Sequence, residues 1–342
     1  MSAAIASEKI KHYPVLLNEL ISIISPQNGG TFIDCTFGQG GYSNKILQFP
    51  KTKVIAFDRD KKSIPYAKNL KDKFKSRFIF YNKKFSQISE IEDKNNIKGI
   101  IFDLGFSYSQ IKDSSKGLSF NDTGRLNMKM GLNNFSAHDV ISILNQENLE
   151  SIFKHFGEEQ KSKIISKKIV QERKKNVIKT EDLVRIINKS KKNPLRIEKS
   201  TKIFQALRMF VNKEISELIN GLVKASKLIE INGIIALVTF HSIEDKICKN
   251  FFSGLSSYES ISRYIPEKKK DKLSFEIINK KPITASSEEM KKNFPSRSAK
   301  LRAIIKKNNN SFDTDFIFKK FQKLLNIEKL SSKLWKNFYL LF

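Results

Sequence analysis

The sequence is short of several things, and each shortage removes a class of explanation. Two cysteines, Cys35 and Cys248, stand far apart in 342 residues and form no C-x-x-C pair. That argues against a disulfide framework and a zinc site, and for a reducing, cytoplasmic setting. No apolar run approaches the roughly 18 residues a membrane span needs. The opening residues hold no apolar stretch, so no secretory signal is expected. Acid is also scarce, with 35 Asp and Glu against 63 Lys and Arg, a net charge of +28. Such an excess favours a polyanionic partner, most simply nucleic acid, through phosphate contacts and counterion release. Only ten of the 63 are Arg, and Lys, Asn and Ile abound as AT-rich coding would produce. Part of the charge is therefore ascribed to solvated surface.

What is present is a signal at residues 31–43, TFIDCTFGQGGYS. Thr31 to Cys35 is short, apolar and β-branched, as a buried parallel strand should be. Three glycines then allow a sharp turn and a close ligand approach, before a helix predicted to be capped by Ser43. Gly38, Gly40 and Ser43 give G-x-G-x-x-S, without the third glycine of the dinucleotide fingerprint. A second strand, Lys53 to Phe57, leads to Asp58, which lies 20 residues (58 − 38) after Gly38. An acid at that distance takes a ribose hydroxyl pair, so a nucleoside-bearing cofactor is expected.

Further along, Lys61 to Lys73 reads as a helix, and Arg77 to Tyr81 and Gly99 to Leu104 as strands. This alternation predicts a parallel sheet covered on both faces. Asp103 falls at the carboxyl edge of the fourth strand, where ligands of open α/β sheets bind. The next convincing strand, Gly233 to Phe240, comes only after 128 intervening residues (232 − 104), far more than one crossover helix needs. Helical periodicity recurs through that gap, and residues 161–200 carry 14 basic against 4 acidic side chains. A basic, helical inserted domain is expected over 109–199. It interrupts an α/β domain made of 1–108 and 200–310, and a helical extension follows at 311–342. Ser200-Thr201 is predicted to cap one long helix with the stripe Phe204, Leu207, Val211, Ile215, Leu218 and Leu222. Leu273–Ile278 and Ala299–Ile305 form a candidate antiparallel pair, and no chemistry is visible after Lys306. His241 and Ser242 end the fifth strand beside Asp103 and are candidates for the substrate side. His12 and Tyr13 are within reach of the cofactor mouth, and His138 and His155 show no partner pattern. Arg125, Arg208, Arg297 and Arg302 are candidate phosphate or carboxylate binders, with surface ion pairs as the alternative.

A ribose without a required pyrophosphate fits S-adenosylmethionine better than NAD. The strings HYPVLLNE (12–19), DCTFGQGGYS (34–43), FDRD (57–60) and DLGFSYSQ (103–110) come in one order with KGLSF (116–120), FQALRMFVN (204–212), FHSIED (240–245) and SRSAKLR (296–302). Together they closely resemble the bacterial small-subunit rRNA cytosine-N4 methyltransferases, over about residues 10 to 305. The resemblance implies a Rossmann-like class I methyltransferase fold, mostly parallel, with an inserted all-α domain. It also implies S-adenosylmethionine as donor and a decoding-centre cytosine of 16S rRNA, in the small ribosomal subunit, as acceptor. No membrane or structural metal enters, and a homodimer is left open. By position, Gly40, Gly41, Tyr42, Asp58, Phe85, Asp103 and Gln110 are the implied cofactor contacts, with Phe85 near the adenine.

Two departures stand out. Tyr42 replaces the family's usual His, and NMKMG (127–131) replaces its Asp-Met-Arg-Met-Asp, losing both carboxylates. Asn127 can still accept one hydrogen bond and joins His241 and Ser242 as a candidate catalytic residue. Two other readings remain: a DNA amino-methyltransferase, though its Asp/Asn/Ser-Pro-Pro-Tyr/Phe signature is absent, and an RNA-binding scaffold without catalysis.

Overall fold

A computed structural model describes residues 14–105, 113, 116–118, 125–191, 200–257 and 273–332. In it the five apolar runs become parallel strands: β1 (Gly30–Asp34), β2 (Thr52–Phe57), β3 (Phe78–Tyr81), β4 (Ile97–Asp103) and β5 (Ile234–Thr239). The candidate terminal pair also forms, as β6 (Phe275–Ile277) and β7 (Lys300–Lys306). The order is β3-β2-β1-β4-β5-β7-β6, with β7 antiparallel to both its neighbours. All strands but β7 therefore present their carboxyl ends at one edge.

The period of two along each strand divides the core between the faces. Phe32, Val54, Ala56, Ile101, Ala236 and Val238 point to one side. There they meet α1 (Leu17–Ile24), α2 (Gly41–Leu47) and α3 (Ile64–Phe74). Ile33, Ile55, Phe57, Ile100, Phe102 and Leu237 point to the other side. That side carries α4 (Ala137–Ile143), α5 (Gln146–Phe156), α6 (Ser162–Glu172) and α7 (Thr180–Asn188), all between β4 and β5. Their apolar faces, Phe153, Phe156, Ile165 and Leu183 among them, join one continuous core with the sheet.

The predicted single helix after Ser200 is two, α8 (Thr201–Asn212) and α9 (Glu214–Leu228). Lys213 turns left-handed between them at φ 52° and ψ 44°. The break serves Asn212, whose amide bonds the Arg208 carbonyl at 2.7 Å and the Met128 carbonyl at 2.9 Å. Ser200 makes no capping bond. Ser43 does not cap α2 either; Gly40 does, and the Ser43 hydroxyl donates to Asp34 at 2.6 Å. The tail adds α12 (Asp315–Lys320) and α13 (Gln322–Lys329), which follow α10 (Ser242–Ser256) and α11 (Ser287–Lys292). Buried Glu328 of α13 accepts from the Ile215 and Ser216 amides at 2.8 and 2.9 Å. It thereby satisfies the open N–H groups at the start of α9.

Candidate active site

The turn after β1 stays laced to both neighbouring strands. The Cys35 amide bonds the Ile101 carbonyl at 2.9 Å, and the Phe37 amide bonds the Phe57 carbonyl at 2.9 Å. Side chains extend the lacing. The Asp103 amide donates to Thr36 Oγ1 at 2.7 Å, and the Gly38 amide donates to Asp58 Oδ2 at 2.7 Å. Asp58 and Asp103 are thus fixed to one turn, at residues two positions apart, from the strands either side of β1. The turn is held from below by buried Asp34, which accepts from the Thr36 amide at 3.2 Å and from Ser43. Burial pushes the Asp34 carboxyl up to about 6.

Of the glycines, Gly38 has room beside it among the described residues. A Cβ built there meets nothing nearer than the Thr36 carbonyl oxygen at 3.9 Å, and its φ is +55°. The two glycines assigned to the cofactor are enclosed by protein instead. A Cβ on Gly40 would strike the Phe37 ring at 2.7 Å, and one on Gly41 would strike Pro14 at 2.1 Å. Both are glycine for packing, whereas Gly38 meets no such neighbour among the described residues.

The two acids are prepared for donors. Asp58 accepts one backbone N–H on each oxygen, from Gly38 and, at 2.7 Å, from Asp60. The Ser63 side chain is a third donor to it, and of a carboxylate's roughly four acceptor sites one is then left for a ligand hydroxyl. Asp103 Oδ1 is buried with no hydrogen-bond partner among the described residues. Burial first, then Asp34 and Glu244, push its carboxyl well above the ordinary range. An unpartnered buried oxygen of this kind is costly and awaits a donor. Hydrogen-bond donors on a ligand are the groups this pair can take.

The remaining candidates fare differently. Tyr42 is buried, and its hydroxyl donates to the Val15 carbonyl. Phe85 packs edge-on against Phe102, with ring centroids 5.4 Å apart, and fills the space beside Gly221 of α9. It is seated there because the Ser86 amide and hydroxyl bond Glu217 at 2.9 and 2.8 Å. Gln110, His12 and Tyr13 lie outside the described residues. His241 caps α10, with Nδ1 accepting from the Glu244 amide at 3.4 Å and Nε2 at 3.0 Å from Glu244 Oε1. Ser242 donates to Glu158 at 2.8 Å. Asn127 lies in an extended stretch, its carbonyl bonded to the Ala137 amide at 3.0 Å. Glu214, His241 and Glu244 offer donor atoms within 4.8 Å of one another. Arg208, however, already holds Glu214 through two 2.9 Å bonds, so the group is an ion-pair cluster. Arg302 is likewise held by Asp245 at 2.7 and 3.3 Å, whereas Arg125 is exposed.

Sequence reasoning missed Thr36, whose hydroxyl joins β1 to β4, and Arg59, which ties the β2 loop to Asn133 and Asn212. A Thr two residues after a strand-end Asp carries no distinctive pattern. Arg59 stands inside FDRD, where its acidic neighbours carry the stronger signal. Gly131, which in the sequence shows only as a missing carboxylate, has φ +115°, and a Cβ there would lie 2.0 Å from the Arg59 carbonyl oxygen. Gly131→Asp is therefore expected to destabilise the protein by roughly 2–5 kcal/mol, summing backbone strain and overpacking. A thermal melt at wild-type stability would contradict this.

A seven-stranded sheet with one reversed strand, and two acids laced to the turn after β1, define a class I methyltransferase. The sequence profile of the MraW methylase family matches residues 9–307, and the chain belongs to that family. As a methylase of this fold it draws its methyl group from S-adenosylmethionine. Ribosomal RNA small subunit methyltransferase H of Afipia carboxidovorans is 37% identical over 323 residues, covering 93% of this chain and 96% of that protein. The protein of the same name from the Wolbachia of Drosophila simulans is 40% identical over 301 residues, covering 86% and 98%. Among solved structures, an rRNA methylase from Streptococcus thermophilus is similar only loosely, with a TM-score of 0.39 and 9% identity over 87% of this chain and 99% of that one.

Proposed function

We propose that the chain methylates the exocyclic N4 amine of a decoding-centre cytosine in the 16S rRNA of the small ribosomal subunit. The observation that supports this best is the fixing of Asp58 and Asp103 to one turn, in a chain whose relatives carry the small-subunit rRNA name. The donor supplies a methyl group already activated on a sulfonium. In this reading Asp58 accepts a ribose hydroxyl, Gly38 leaves room for the chain beyond it, and Asp103 accepts from the amino group. The protein's work is then to hold an acceptor in line, a matter of proximity and orientation. A cytosine amine is a weak nucleophile because its lone pair is delocalised into the ring. Asn127, as an acceptor for an amine proton, would turn that lone pair outward. His241 and Ser242 contribute through structure, by starting α10 and joining it to Glu158.

The region 109–199 is read as the part that grips RNA, inserted into a methyltransferase domain of 1–108 and 200–310. On α6, at its N-cap and in the turn after it, Lys161, Lys163, Lys167, Lys174 and Lys175 are exposed. Replacing these five with Gln is expected to reduce the slope of log affinity against log salt by up to about 4, near 0.7–0.9 for each phosphate no longer neutralised. Filter binding at several salt concentrations reads this, and an unchanged slope removes the region from the RNA interface. The function itself is tested by nucleoside mass spectrometry of small-subunit rRNA from cells with and without the gene. N4-methylcytidine should disappear with the gene; its persistence, or the disappearance of a different modification, overturns the proposal.

A further inference from the structure

The loop after β2 presents Asp58, and it also grips the chain between β4 and α4 at several points. Arg59 donates from Nη1 to the Asn212 carbonyl at 3.0 Å and from Nη2 to Asn133 Oδ1. Asp60 forms a buried ion pair with Lys116, and Lys62 pairs with Asp113. Asn212 closes the ring: its Oδ1 accepts from the Met130 amide at 2.9 Å and from Asn133 Nδ2, while its Nδ2 donates to the Met128 carbonyl. The Met128 amide bonds the Lys116 carbonyl at 2.6 Å. Asn127 is therefore bracketed by two clamps that both originate in residues 59–60. The same loop reaches back to the cofactor side, because the Asp60 amide donates to Asp58 Oδ1 at 2.7 Å. Burial also holds the Arg59 guanidinium below its ordinary pKa. An arginine buried at this junction, with its fork spread over two segments, makes a stiff connector that a flexible point charge could not replace.

We propose that Arg59 is a positioning residue that couples the cofactor and RNA sites, so that each ligand tightens the binding of the other. This rests on the function proposed above. A ligand seated against Asp58 fixes loop 58–62, and through Asn133 and Asn212 that loop fixes the stretch carrying Asn127. The ordering cost of the stretch is then met once for both ligands, and the coupling is reciprocal.

The test measures the affinity of radiolabelled S-adenosylhomocysteine by equilibrium dialysis, alone and with small ribosomal subunits lacking the methyl group. In the wild-type protein the subunits should raise that affinity at least about five-fold, within the usual range of coupling between sites. Arg59→Lys keeps the charge and loses the fork. Asn133→Ala removes one of the fork's acceptors and leaves the guanidinium in place. In both, coupling should fall below about two-fold, while affinity without subunits stays within about three-fold of wild type. Should Arg59→Lys fail to fold by circular dichroism, Asn133→Ala decides alone. Binding without coupling in the wild type, or wild-type coupling in the folded variants, overturns this inference and leaves the proposed function standing. No binding by the wild type overturns the cofactor site and this inference with it.

Discussion

Asp58→Ala is expected to weaken S-adenosylmethionine binding about 100-fold. Each hydrogen bond from a ligand hydroxyl to a carboxylate contributes roughly 1.5–3 kcal/mol. Gly38, Asp60 and Ser63 already occupy the other acceptor sites. One such bond is therefore lost, and at the upper end of that range it is worth two powers of ten at about 1.4 kcal/mol each. The substitution also strips the acceptor from the Gly38 and Asp60 amides, which now order the turn. That effect adds to the loss and does not replace it. RNA affinity, measured without cofactor, should change less than about two-fold, because the proposed grip on phosphate lies with the exposed lysines around α6 and not with this pocket. Calorimetry with the cofactor and filter binding with rRNA read the two separately. Equal loss of both would mean that Asp58 serves the fold as a whole.

Much of this site was legible because its strands are buried on both faces. A run such as Gly-Ile-Ile-Phe-Asp, apolar on successive residues, has few places in a protein other than a central parallel strand. Its terminal acid is then placed at the ligand edge by topology alone. The helices between β4 and β5 were legible for a related reason, since 128 residues between two sheet strands exceed any crossover. What escaped was decided by contacts distant in sequence. The glycines at 40 and 41 announce a close approach without saying by what, and Pro14, 27 positions earlier, supplies one of the answers. The break at Lys213 is silent because one left-handed residue lets Ile215, Leu218 and Leu222 continue the stripe of α8. The role of His241 could have been found. A glutamate three residues later is the mark of a capping box, and Glu244 indeed accepts from the Phe240 amide at 2.9 Å and the His241 amide at 3.3 Å. Reactive chemistry in the imidazole was the more eye-catching reading, and the local pattern was the better guide.

Asp103→Asn separates charge from shape at the second acid. In the free protein, burial and the nearby carboxylates Asp34 and Glu244 hold the Asp103 carboxyl well above its ordinary pKa. A cationic amine binds the ionised form, so below that raised pKa binding must expel a proton. Cofactor affinity should therefore rise with pH for as long as Asp103 is protonated in the free protein. The comparison is kept below pH ~8, where the ligand's own α-amino group begins to lose its charge. Asparagine is nearly isosteric and still offers one acceptor oxygen, but it has no proton to release. At the highest pH compared, the variant should bind about 10- to 100-fold more weakly, the loss of one charge-assisted hydrogen bond at roughly 1.5–3 kcal/mol. Its profile in the acid range should be flatter than the wild type's. Calorimetry in two buffers of different ionisation enthalpy adds a direct count of protons released, which should fall toward zero in the variant. A wild-type profile or a wild-type proton count from Asp103→Asn would place the titrating group elsewhere and leave the unpartnered oxygen without its assigned donor.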